Sequence, residues 1–209
     1  MAIANSEAVY TIGHSTHHIK DFISLLKRYG ITAVADVRSF PFSKHNPQFN
    51  KDALTDALKQ EGISYVFLGM ELGARPDDST CYDNGSANFT KMAERPIFKQ
   101  GIERLLNGMG KYRIAMLCAE KEPLDCHRTI LVCRHLREFG LPIKHILADG
   151  GVEDHQATEH RLVKALGLEP ILFDSMRTDA DRIEEAYNQR AREIAYKRER
   201  EEENREYAR

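Results

Sequence analysis

The chain has 209 residues, of which 42% are hydrophobic, enough to bury one sizeable core; length favours one domain or two small ones, and one domain with a tail is expected. Thirty basic and thirty-two acidic residues leave a formal charge of −2, so the overall field neither favours nor disfavours a nucleic-acid partner, and any anion site has to be local. Cys81, Cys118, Cys126 and Cys133 are separated by 37, 8 and 7 residues, which excludes a C-x2-C zinc pattern and a dense disulfide framework and points to reduced thiols.

The first residues, "MAIANSEAVYTIGHS", lack the basic segment and apolar run of a signal peptide, and no stretch approaches the apolar length of a membrane span. A cytoplasmic location and no membrane partner are expected. Short apolar, β-rich runs follow at "AVYTIG" (8–13), "ITAVADV" (31–37), "SYVFLG" (64–69), "YRIAMLCA" (112–119) and "IKHILA" (143–148). Between them stand helical patterns: "IKDFISLLKRYG", "KDALTDALKQEG", "IFKQGIERLLNG" and "RTILVCRHLREFG", each closing on a glycine stop signal. Strands without strict alternation, linked by helices, predict a mainly parallel sheet of about five strands covered on both faces.

Residues 70–97 contain turn formers and polar residues without a convincing strand, and are expected to form an excursion or lid. From Asp181 onward Arg and Glu dominate, with Ile183, Tyr187, Ala191 and Ile194 as a thin apolar stripe. This predicts a charged helix that docks by its first turns and frays beyond about Lys197. The expected division is an α/β domain over 1–170 and a charged helical tail over 171–209.

In parallel α/β sheets ligands bind outside the carboxyl ends of the strands. Those positions read "GHS" (13–15), "DVRS" (36–39), "GMELG" (69–73), "CAE" (118–120) and "DGG" (149–151). His14 is a candidate proton-transfer group there, with Ser15 beside it as a capping or ligand-contacting hydroxyl. Asp36, at the end of an apolar strand, requires a partner. Arg38 lies on the same side of that strand and is either its ion pair or a fork for phosphate or carboxylate.

Cys118 closes the fourth strand, "AEKEPLD" connects, and Cys126, His127 and Arg128 enter the next helix. A helix N-terminus favours an anion or lowers the pKa of a thiol, which makes Cys126 a better thiolate candidate than Cys133. Three readings remain open. In one, Cys126 is a nucleophile activated by His127 or His14, with Arg128 holding an anion. In another, Glu120 acts as acid or base and the cysteines only pack. A third recruits Cys126, His127, Glu120 and Cys118 or His14 to a metal, but their spacing matches no recognised zinc pattern, so no metal is assigned.

The segments "YTIGHST", "VADVRSFPFSKHNPQFN", "GISYVFLGMELGA", "LCAEKEPLDCHR" and "IKHILADG", in this order, resemble the domain of unknown function 488 family over about residues 9–150. The resemblance implies a compact α/β domain with motif residues at His14, Asp36, Arg38, Cys118, Glu120, Cys126, His127 and Arg128, and implies no reaction. "DVR" after a strand is also similar to rhodanese-type sulfurtransferases, and the cysteine-loop-arginine order to tyrosine phosphatases. Against a phosphatase cradle, the loop lacks glycine and carries Glu120, Glu122 and Asp125, which repel phosphate.

The favoured expectation is an enzyme taking a small anionic or nucleotide-like substrate, with catalytic candidates His14, Glu120, Cys126 and His127 and substrate-binding candidates Ser15, Asp36, Arg38, Cys118 and Arg128. One alternative is a nucleic-acid-binding or base-processing module using exposed Lys44, His45, Phe49, Arg75 and Tyr82. Another is an interaction protein acting through the tail, whose removal is expected to leave a true active site unaltered. No cofactor or oligomeric state is specified.

Overall fold

The structure is a computed structural model that describes residues 8–170 and 177–198. In chain order its elements begin with β1 (Val9–Gly13), α1 (Ile19–Arg28), β2 (Ala33–Asp36), α2 (Lys51–Gln60), β3 (Ser64–Phe67) and α3 (Gly69–Leu72). Then come β4 (Tyr82–Asp83), β5 (Ser86–Ala87), α4 (Phe89–Glu94), α5 (Pro96–Met109) and β6 (Ile114–Cys118). A π-helical segment, Arg128–Cys133, runs into α6 (Arg134–Leu136), followed by β7 (Ile143–Ile146), β8 (Val152–Asp154), α7 (His155–Ala165) and α8 (Asp179–Ile194).

The main sheet has the order β3-β2-β6-β1-β7-β8. The first five are parallel, as expected, and β8 adds an antiparallel edge that sequence reading did not anticipate. Both β1 and β6 are buried along their whole length, which explains their unbroken apolar character. Side chains still alternate between the faces: Ile114, Met116 and Cys118 join one core, Ala115 and Leu117 the other.

The smaller core packs α1 and α2 on the sheet through Phe22, Leu26, Leu54 and Leu58. All four are fully buried, each stabilising the fold by about 2 kcal/mol. The larger core holds α5, the π-helical segment and buried residues of α7 and α8. Gly140 takes the left-handed conformation that ends the helical run after α6. The excursion at 70–97 contains a 3-10 turn (Ser79–Cys81), a two-stranded hairpin, β4–β5, and the helix α4.

The tail helix is more than a docked first turn. Thr178 and Asp181 form a capping box at its start, and Ala186 and Tyr187, halfway along, are completely buried. The helix ends at Ile194, before the expected fraying point near Lys197, and residues 199–209 lie outside the described residues.

The topology locates a crevice. β2 leads to β3 on one side and β6 leads to β7 on the other, so the connections diverge between the adjacent strands β2 and β6. In open α/β sheets this switch point is where ligands bind.

Candidate functional site

Three neighbouring strands, β2, β6 and β1, deliver their ends to this crevice. The sheet ladder continues past β1 through His14 N–H to Cys118 O and Ser15 N–H to Ala119 O, both 2.9 Å. A Cβ on Gly13 would lie 1.8 Å from the carbonyl oxygen of Glu120. Only glycine therefore lets the end of β1 approach the turn after β6 so closely.

On that turn four side chains converge. The thiols of Cys118 and Cys126 donate to the same oxygen, Glu120 Oε2, at 2.8 and 3.0 Å. His127 Nδ1 lies 3.5 Å from Cys118 Sγ, and its Nε2 donates to the Val37 carbonyl at 2.9 Å. A carbonyl only accepts, so Nε2 carries the proton, and in the neutral ring Nδ1 presents its lone pair to the cluster. Burial pushes the Glu120 carboxyl up, but the bonds from the two thiols, together with nearby His127 and a backbone bond, outweigh it and hold it down at about 2.

Cys126 departs from its expected role. It is 1% exposed and lies ahead of a π-helical turn, and burial pushes its thiol well up, away from thiolate. Cys118, not Cys126, lines the cleft. Arg128 is likewise displaced from its expected ligand contact. Fully buried, it donates to the carbonyls of Glu120 and Lys121 at 2.7 and 3.3 Å and so shapes the turn.

Asp36 is also out of reach of the cleft. It accepts from Arg38 Nε and Nη2 at 2.9 and 2.6 Å and from the Tyr65 hydroxyl at 2.8 Å. Arg38 lines the cleft, but this bidentate pair and a bond to Phe49 O occupy its fork. Of the two roles left open for Arg38, the structure displays the ion pair. His14 stacks on Phe49 at a ring separation of 4.4 Å, and its Nδ1 donates to Ser15 O at 2.9 Å. Burial lowers its pKa, against the opposing pull of that bond. The imidazole is thus neutral near pH 7, with Nε2 as its acceptor nitrogen.

The cleft encloses about 600 Å³. His14, Ser15, Cys118, Glu120 and His127 line it together with Arg75 and Lys121. Phe40 and Phe42, at 64% and 67% exposure, stand in its wall as uncovered aromatic surface. The nucleic-acid candidates divide: Lys44, His45 and Arg75 are exposed, whereas Phe49, expected outside, is fully buried beneath His14. Tyr82 is half-buried, bonded to Pro76 O and covered by Arg198.

The end of α8 and the residues after it also enter the wall, contrary to the expected independence of tail and site. Ile194 and Tyr196 line the cleft, and Arg75 lies over the Tyr196 ring at 4.5 Å. Arg198 fixes this segment by donating to Pro76 O and Asp77 O. Sequence reading missed Tyr196 because an aromatic in an Arg- and Glu-rich run carries no periodic signal.

A second cluster was also missed. Thr11 Oγ1, His145, His155, Tyr187 and Glu159 form a buried chain with links of 2.8 to 3.0 Å, ending on Arg137. The Glu159 carboxylate, ion-paired with Arg137, accepts from the Tyr187 hydroxyl. Tyr187 oxygen then accepts from His155 Nε2, His155 Nδ1 from His145 Nε2, and His145 Nδ1 from Thr11. One carboxylate fixes both tautomers.

Comparison with curated proteins and with solved structures returned no match. One family model, described as a domain of unknown function, DUF488, matches residues 18–134. That is narrower than the expected 9–150 and leaves out His14, but it contains Arg38, Cys118, Glu120, Cys126, His127 and Arg128. Since it covers more than half of the 209 residues, the chain belongs to the DUF488 family.

Proposed function

We propose that the cleft is the active site of an enzyme acting on a small anionic or nucleotide-like substrate. The observation that carries this reading is the convergence of His14, Cys118, Glu120 and His127 on one cleft at the β2–β6 switch point. Arg75 and Lys121 offer positive charge, since Arg38 and Arg128 are committed to internal partners. Phe40 and Phe42 offer flat apolar surface on which a base can stack. His14 Nε2 is suited to accept a proton, and the thiol that lines the cleft is that of Cys118. The chemistry follows the Cys, His and Glu side chains, whichever of them contacts the reacting atoms.

The test is the thermal shift of the full chain with inorganic phosphate, sugar phosphates, mononucleotides and a short single-stranded oligonucleotide. A phosphate-bearing small molecule should raise the melting temperature, and Arg75→Ala and Phe42→Ala should each reduce that shift without lowering basal stability. No shift with any small molecule, or a shift untouched by both substitutions, would overturn the proposal. Salt-sensitive binding of the oligonucleotide alone would replace it with the nucleic-acid reading.

A further inference from the structure

The geometry points to a metal site: we infer that Cys118, Glu120, Cys126 and His127 hold a zinc-like divalent ion at the floor of the cleft. One ligand atom from each of the four, two sulfurs, one nitrogen and one carboxylate oxygen, lies within 4.8 Å of every other. The spacing in sequence matched no zinc pattern because the ligands come from a strand end, a turn and the start of a π-helical run, where chain separation does not report distance.

Three features distinguish this cluster from an accidental polar contact. The donor set of two thiols, an imidazole and a carboxylate suits a borderline-soft ion with tetrahedral preference and does not suit magnesium or calcium, which take oxygen ligands. His127 donates its outer nitrogen to the Val37 carbonyl, the support that metal-bound imidazoles use to fix their tautomer and orientation. Two buried thiols share one carboxylate oxygen, so three metal-ligating atoms already converge on one point.

Charge also balances. When a dication enters and the two thiol protons leave to solvent, the net charge of the site is unchanged. Two thiolates, the Glu120 carboxylate and the dication sum to one negative charge, which the buried guanidinium of Arg128, bonded to Glu120 O, offsets. Cys118, Glu120 and His127 line the cleft, so the ion would face it, and exposed Glu120 is the ligand most easily displaced by a substrate oxygen or water.

Among the described residues a second grouping with metal-ligating residue types, Cys133, His145 and His155, is a weaker candidate. Each of its four ring nitrogens already has a hydrogen-bond partner, and it is walled into the core.

The experiment is titration of the reduced, chelator-stripped full chain with Co2+, followed by optical absorption, with Zn2+ as competitor. Saturable sulfur-to-cobalt charge-transfer absorption, tetrahedral d–d bands and displacement by Zn2+ are expected. Cys118→Ser and Cys126→Ser should each cut the charge-transfer band by half or more, while Cys81→Ser keeps it in full. Glu120→Gln changes an exposed side chain, so it keeps the fold, and it should weaken Co2+ binding about tenfold or more. Absence of thiolate absorption in the parent chain, an undiminished band in Cys118→Ser, an unchanged affinity in Glu120→Gln, or loss of the band only in Cys133→Ser would each overturn the assignment. None of these readouts depends on recognising an organic ligand, so failure here is distinguishable from failure of the substrate proposal.

Discussion

The fold carries two clusters built from the same residue types and used in opposite ways. In the relay from Thr11 to Glu159, every ring nitrogen is partnered and the hydrogen bonds run in a single direction. In the cleft cluster, two thiols and an imidazole gather about one carboxylate beside open space. Buried polar groups with complete partners specify packing, whereas groups that converge on each other at a strand-end crevice are available to something else. Residue identity does not separate the two; saturation and access do.

The largest effect expected on this contrast comes from Gly13→Ala. Its Cβ would collide with the Glu120 carbonyl and separate β1 from the turn that carries the cleft cluster. The loss should exceed about 3 kcal/mol, the upper end of ordinary point substitutions, as read by urea denaturation. An unchanged midpoint would show that the turn can shift freely.

The relay should appear next, in the dependence of stability on pH. Burial pushes His145 well down and His155 down to about 4 from an ordinary 6.5. The fold therefore favours both neutral rings, and their contribution is present above pH 6.5 and lost as pH falls toward 4. His155 alone should account for about 3 kcal/mol across that window. His155→Gln should flatten the slope of stability against pH, and an equally steep slope would remove the relay as its source.

Tyr187→Phe is a smaller change. It deletes the hydroxyl that joins His155 to Glu159 while keeping the ring, and should cost about 1–2 kcal/mol by chemical denaturation. The least perturbing change is Glu120→Gln, whose amide oxygen can still accept from the two thiols and whose side chain is exposed at the cleft, so the lost charge should cost about 1 kcal/mol or less. A large destabilisation there would make the cleft cluster structural and erase the contrast.

Much of the sheet was legible because burial on both faces writes itself as short apolar runs, as in "YTIG" and "IAMLC". β8 escaped because "VED", on an edge, buries little. α7 escaped too, although His155, Thr158, Leu162 and Val163 stand at helical spacing, because only two of those four are apolar. The positions of His14 and Cys118 at the cleft followed from strand ends alone. The fates of Arg128 and Phe49 did not, since a fork that binds carbonyls of its own turn and a ring that supports His14 depend on tertiary contacts absent from local pattern.

The contribution of Tyr196 to the wall has a consequence for how the protein is made. Strands β1, β2 and β6 and the reactive turn are complete once residue 128 has been synthesised, but the wall that Ile194 and Tyr196 form, and the clasp of Arg198 on Pro76 and Asp77, come some seventy residues later. During vectorial synthesis, which proceeds from the N-terminus, the chemical groups exist before their enclosure. The wall of the cleft therefore stays incomplete until Arg198 has been added.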